Sequence, residues 1–147
     1  MYHKTDIDYS NEWGGAVLEG WSIGKPLIAD DNKTVFMQFS KVSSAAGRSE
    51  GFFLRSENAV SPGIQPEAIT FEFVPRGNHG LRAASGPTAE EGNLVQLSDG
   101  SFYAVFRTES GFLGRATSKD GIEWQDRLHA HYDTADYGPG MCKYRTT

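Results

Sequence analysis

Glu90 and Glu91 stand side by side, with Arg82 before them, Arg107 after them, and the histidine of Gly77-Asn78-His79-Gly80 close by in sequence. Hydrolysing a glycosidic bond generally takes two carboxyl groups, one to protonate the leaving oxygen and one to act as nucleophile or base. A glutamate held against apolar walls keeps its proton at neutral pH and supplies the acid. Two guanidinium groups can clamp a sugar carboxylate through paired N–H donors, as an acidic glycan requires. An imidazole in a loop can take or give a proton near neutrality. Each role has a plainer counterpart: one glutamate pairs with Arg82 or Arg107 while the other is solvated, the arginines bridge neighbouring elements, and His79 is simply exposed. The catalytic candidates are thus Glu90, Glu91 and His79, and the substrate-binding candidates Arg82 and Arg107.

Other chemistries find less support. His129-Ala130-His131 has the alternate spacing of two ligands on one strand face, but no third ligand accompanies it, so we read it as loop and expect no metal site. The single cysteine, Cys142, leaves no internal disulfide framework and no Cys-rich zinc site. Nothing in the chain calls for a cofactor. A net charge of −5 without any Lys/Arg run argues against a nucleic-acid partner. No run approaches the length of a membrane span. Met1-Tyr2-His3-Lys4 leads into polar sequence rather than the apolar core of a signal peptide, which leaves the compartment open, secreted and periplasmic included. Trp21 is a sugar-stacking candidate, with core burial as its alternative. The stripe of Phe36, Phe39, Phe102 and Phe106 reads as core.

The elements that carry these residues should be strands. The 12% aromatic content falls mostly in short alternating runs, and 17 glycines mark turns. Two such runs lead into Ala116-Thr117-Ser118-Lys119-Asp120-Gly121-Ile122-Glu123-Trp124. Asp120 can fold its carboxylate onto nearby backbone N–H groups, Ser118 adds a hydroxyl bond, Gly121 tolerates positive φ, and Trp124 anchors the hairpin. A Ser-x-Asp-Gly turn closed by a tryptophan joins the third and fourth strands of many β-propeller blades. It marks Ser118, Asp120, Gly121 and Trp124 as structural.

The chain also repeats itself. Leu27 to Phe39 lies over Leu94 to Phe106, each reading as strand, polar turn, strand, with Asp99-Gly100 a strong hairpin signal. Gly51-Phe52-Phe53-Leu54-Arg55-Ser56-Glu57-Asn58 then resembles the stretch from Gly111 to Asp120. Ser56-Glu57-Asn58 takes the place of Ser118-Lys119-Asp120, and Phe71 that of Trp124. Arg55 and Arg115 match each other, which favours a shared structural role. Two insertions, Ser43 to Glu50 and Ala59 to Ala68, spread the copies apart. We expect strands near 24–29, 34–42, 51–57 and 69–75, then near 92–97, 101–108, 112–118 and 122–126. Residues 84–91 offer at most one helical turn, cut short at Gly86-Pro87. The organisation that follows is a segment 1–20 left from a preceding unit, a first blade 21–76, a second blade 77–127 and a tail 128–147 toward a further blade. The fold class is all-β, a partial β-propeller of about two four-stranded antiparallel blades.

Ile23-Gly24-Lys25-Pro26, the Gly51–Asn58 run, Gly80-Leu81-Arg82, Gly86-Pro87-Thr88-Ala89-Glu90-Glu91, Leu97-Ser98-Asp99-Gly100-Ser101-Phe102-Tyr103, Phe106-Arg107-Thr108 and Ser118-Lys119-Asp120-Gly121 occur in that order. Together, over about residues 20–127, they resemble bacterial sialidase-like proteins with Asp-box repeats. The resemblance implies a six- or seven-bladed propeller that acts on glycans, as exo-sialidases do and as do relatives that process rhamnose–uronate polysaccharides. The chain departs from that pattern in lacking an Arg-Ile-Pro motif and in an Asp-box turn one residue short of Ser-x-Asp-x-Gly-x-Thr-Trp.

In a propeller, the loops between strands two and three and those leading to the next blade share one face, and the Asp-box turns lie on the other. His79, Arg82, Glu90, Glu91, Arg107 and Glu109 fall on the first face, where glycosidase ligands sit. Ser118, Asp120 and Trp124 fall on the second. Three functions stay open: a glycan-cleaving enzyme for an acidic saccharide, a non-catalytic propeller that binds glycan or protein through that face, and a fragment inactive by itself. Two blades alone leave apolar faces and strand edges uncovered, which predicts self-association.

Overall fold

The computed structural model describes residues 19–22, 24–43, 47–77, 79–83, 86, 88–109 and 113–130. These form two antiparallel sheets, and no α-helix occurs among the described residues. In the first sheet β1 (Glu19–Trp21) and β2 (Leu27–Ile28) both pair with β3 (Val35–Ser43), which pairs with β4 (Arg48–Ser56), which pairs with β5 (Glu72–Val74). It is a four-ribbon meander whose first ribbon is broken in two. The second sheet runs in strict order through β6 (Glu90–Gln96), β7 (Phe102–Arg107), β8 (Leu113–Ser118) and β9 (Trp124–Ala130).

Period-2 alternation explains the second sheet. Phe102, Ala104 and Phe106 are buried while Tyr103, Val105 and Arg107 are half-buried, so β7 turns one face inward. Both first hairpins are tied by an aspartate. Asp31 accepts the N–H groups of Lys33 and Thr34 and the Thr34 hydroxyl, and Asp99 accepts the N–H and hydroxyl of Ser101. Those bonds, led in each case by the hydroxyl, hold both carboxyls below the ordinary carboxylate range.

The sheets stack face to face. Phe36 meets Phe102 with ring centroids 5.0 Å apart, and Phe53 meets Trp124 at 4.7 Å. Val74, Leu81, Leu94, Ala104 and Phe106 complete this core. Phe39 departs from the expected stripe. It points from the opposite face of β3 and packs against Phe73, centroids 5.1 Å apart. Gly121, at φ +74°, brings its backbone so close to Phe36 that a Cβ would stand 2.5 Å from Cζ. Only glycine fits that approach and that backbone angle.

Five expectations need correction. The predicted first strand 24–29 is strand only at Leu27–Ile28, and a further strand ahead of it, Glu19–Trp21, pairs with the other end of β3. The supposed insertion Ser43 to Glu50 lengthens the β3–β4 hairpin instead, whose ladder runs from Val35↔Ser56 to Ser43↔Arg48. Arg55 and Arg115 are not equivalent. Ser56 pairs with Val35 as Ser118 pairs with Phe102, so Arg55 corresponds to Thr117 and Arg115 to Phe53. The same registers show that Leu27 and Leu94, aligned by sequence, face opposite ways: Leu27 pairs with Phe36, whereas Leu94 pairs with Ala104. The first hairpin turn holds one residue more than the second, and a one-residue slip turns a strand over. Thr88 and Ala89 are not helical, and β6 begins directly after them.

Candidate functional site

Register separates the candidates into two ends. On β7, Phe102 pairs with Ser118 while Arg107 pairs with Glu90, so the Ser118 turn and the glutamates lie at opposite ends of a six-residue strand. That puts them about 17 Å apart along the strand.

At the turn end, the Ser118 hydroxyl accepts the N–H of Gly121 at 2.8 Å and donates to the Glu123 carbonyl at 2.6 Å. Asp120 Oδ1 accepts the N–H groups of Ile122 (2.8 Å) and Glu123 (2.9 Å), and these donors hold its carboxyl below the ordinary range. Trp124 Nε1 donates to the Gly121 carbonyl at 3.1 Å, closing the hairpin. Every bond of this turn is local. Its carboxylate is consumed by backbone, which fits a structural role.

At the hairpin end, Glu90 and Glu91 converge on one guanidinium. Arg107 Nη1 lies 3.4 Å from Glu90 Oε2 and 3.6 Å from Glu91 Oε1. The plainer alternative had one glutamate paired and one solvated; here both face the same arginine. A bulge between Glu90 and Asn93 makes this possible, and Glu91 takes φ +50°. Such a bulge re-aims side chains that a regular strand would send to opposite faces. The Glu90 side chain is 10% exposed, that of Glu91 25% and that of Arg107 28%, so solvent reaches the latter two.

Arg82 reaches into the first sheet, where its Nε donates to Glu50 Oε1 at 2.6 Å. Glu50 Oε2 also lies 3.6 Å from Lys41 Nζ. Lys41 and Glu50 are both buried, at 5% and 1% exposure. The Arg82 segment is moored by Leu81, whose backbone exchanges both hydrogen bonds with Gly51. Two serines join the sheets beside the glutamates: Ser49 Oγ accepts the Ala89 N–H at 3.0 Å, and Ser40 Oγ accepts that of Glu91 at 3.1 Å.

Lys41, Glu50, Ser40 and Ser49 escaped the sequence reading. Ser49 and Glu50 fall in the expected insertion, where Ser44-Ala45-Ala46-Gly47 looks like loop by composition, and Ser40 and Lys41 lie near the end of the expected strand before it. The available signal was a lysine and a glutamate placed symmetrically about that loop, a cross-strand pair if the hairpin continues. His79 is exposed, three positions before Arg82, and Glu109 is exposed just beyond β7. The side chains of Trp21 and His129, and all of His131, lie outside the described residues. Among the described residues no group of three or more His, Cys, Asp or Glu side chains could hold a metal ion, and no helix is long and apolar enough to cross a membrane. Comparison of the whole chain with family models, with curated proteins and with solved structures finds no match in any of the three.

Proposed function

We propose that the two sheets are blades of a sialidase-like β-propeller and that their hairpin end cleaves an acidic glycan as a glycoside hydrolase. The carrying observation is the pair Glu90 and Glu91 brought onto Arg107 by a bulge, with Glu91 at positive φ. Backbone strain in a non-glycine residue costs energy and clusters where function requires it. In this role Glu90 and Glu91 supply the two carboxyl groups that hydrolysis needs, and Arg107 and Arg82 receive the acidic group of the sugar. His79 stands at the rim as a further proton donor. The Ser118–Trp124 turn is then the Asp-box of the second blade, and Ser56-Glu57-Asn58 its counterpart in the first.

Release of a chromophore from aryl glycosides of glucuronic and sialic acid tests this. Turnover that falls by about 10²-fold or more in Glu91→Gln, as loss of a general acid–base group predicts, supports it. Absence of turnover with all such substrates sinks it.

A second function, binding without catalysis, draws on one observation. Arg82 and Arg107, both half-buried, each lie against a carboxylate of the chain itself, as in a fixed recognition surface. Saturable binding of glucuronate with no turnover selects it. The propeller arrangement also makes the outward face of the second sheet, where Val95 is 51% exposed, a seat for another sheet. A monomer by light scattering at all concentrations argues against that seat.

A further inference from the structure

We propose that Ser40, Ser49 and Glu50, on the far part of the β3–β4 hairpin, are positioning residues that aim Glu90, Glu91 and Arg82, a role that rests on the site proposed above. A bulged strand start leaves backbone N–H groups that the ladder cannot serve. At the start of β6 the N–H groups of Ala89 and Glu91 go to Ser49 and Ser40 of the other sheet. These two residues flank Glu90, so the first glutamate is pinned on both sides and the second through its own amide. Both serines are buried, Ser40 at 0% and Ser49 at 2% exposure.

Nothing in the apolar core asks for hydroxyls there. Phe36, Phe53, Phe102 and Trp124 already join the sheets. Gln38 Nε2, itself buried, donates to Ser40 Oγ at 2.6 Å and fixes where that oxygen sits. On the neighbouring strand Glu50 holds the Arg82 guanidinium at 2.6 Å, while Leu81 is tied to Gly51 next to it. One hairpin thus holds Arg82 by its side chain, Glu91 by its amide, and Glu90 through the residues on either side of it. Arg107, the fourth, is reached through the glutamates.

Amide exchange and arginine side-chain resonances of the isotopically labelled full chain test this without any glycan. In Ser40→Ala the Glu91 amide, and in Ser49→Ala the Ala89 amide, should exchange about fivefold faster or more, since one hydrogen bond is lost. The amides of the Ser118–Trp124 turn should keep their rates. The Arg107 Nε–H resonance should move in both variants, because the carboxylates it faces have lost their aim. Unprotected Ala89 and Glu91 amides in the unsubstituted chain overturn the proposal. So does an Arg107 resonance that holds still while the amides accelerate, which leaves the serines supporting the strand and aiming nothing. Should the alanine variants fail to fold, Glu50→Gln, nearly isosteric, decides at Arg82: its Nε–H resonance moves, or the positioning role falls. Failure of turnover on acidic glycosides sinks the hydrolase function and leaves these readings untouched.

Discussion

In the second sheet Asp120 Oδ1 accepts the N–H of Glu123, three residues on, and in the first sheet Asn58 Oδ1 accepts the N–H of Thr70, twelve residues on. The serine bonds match as well. Ser56 Oγ accepts from Asn58 at 3.3 Å and Ala59 at 3.0 Å, as Ser118 Oγ accepts from Asp120 at 3.3 Å and Gly121 at 2.8 Å. The loop from Ala59 onward, with its single 3-10 turn at Pro66–Ala68, is spliced into the motif without disturbing it. A turn of this kind is therefore defined by which groups meet, and the length of chain between them is secondary. Loop closure entropy grows slowly with length, so the longer version is tolerated.

The opposite ends diverge. The first sheet extends its central hairpin and places a register pair, Lys41 and Glu50, where the second has Thr108 beyond the end of β7. The first sheet supplies the brace, and the second supplies the glutamates.

The comparison can be broken hardest at Glu50. Glu50→Ala leaves Lys41 buried beside Arg82 without the carboxylate they share, and the expected loss is about 3–5 kcal/mol in denaturant unfolding. A loss under about 1 kcal/mol would show that water or other groups replace Glu50, and that the brace is not built on this triad.

Gly121→Ala installs the residue that the first sheet carries at the matching place, Ala59. Ala59 is not among the described positive-φ residues, whereas Gly121 has φ +74° and faces Phe36. Strain and overpacking together should cost about 2–3 kcal/mol, read as a lower melting temperature. A neutral result would mean that the two turns differ less than their packing indicates.

Removing the serines sharpens the match. Ser118→Ala should cost about 2 kcal/mol and Ser56→Ala about 1 kcal/mol, because only Ser118 also donates across the turn, to the Glu123 carbonyl. Equal costs would assign no weight to that extra bond.

Asp120→Asn has the smallest effect and the most diagnostic one. Backbone donors from Ile122 and Glu123 lower the Asp120 carboxyl in the folded chain. Its contribution to stability is therefore complete above the unfolded value, near pH 4, and is lost as pH falls through the lower folded value. The substitution should flatten the acid limb of stability against pH and change little at neutrality, while Asn58→Asp should steepen that limb. An unchanged acid limb in both would show that these side chains are interchangeable in charge.

Much of the fold was legible in the residues. The alternation in Phe102–Arg107, the Asp99-Gly100 hairpin and the Ser118–Trp124 turn each involve groups a few positions apart, and each forms as expected. Ser56-Glu57-Asn58 was recognisable as a second copy for the same reason. The slips came where composition stood in for pairing. Ser43 to Glu50 looked like loop but extends a ladder, and the Arg55–Arg115 match ignored the registers that place Arg55 with Thr117. Of the site, the residue types were legible and their partners were not: Arg82 was named without Glu50, and Glu91 without Ser40.

By itself the sequence determined the strands of the second sheet and the paired serine turns at Ser56 and Ser118, because hydrogen bonds across a tight turn and period-2 burial depend on neighbours in the chain. The tertiary structure decided which carboxylate meets which cation. Arg82 finds Glu50 across 32 positions, and Glu91 finds Ser40 across 51. Contacts of that span exist only once two registers are set and two sheets are stacked, and a one-residue change in a single turn would redirect them.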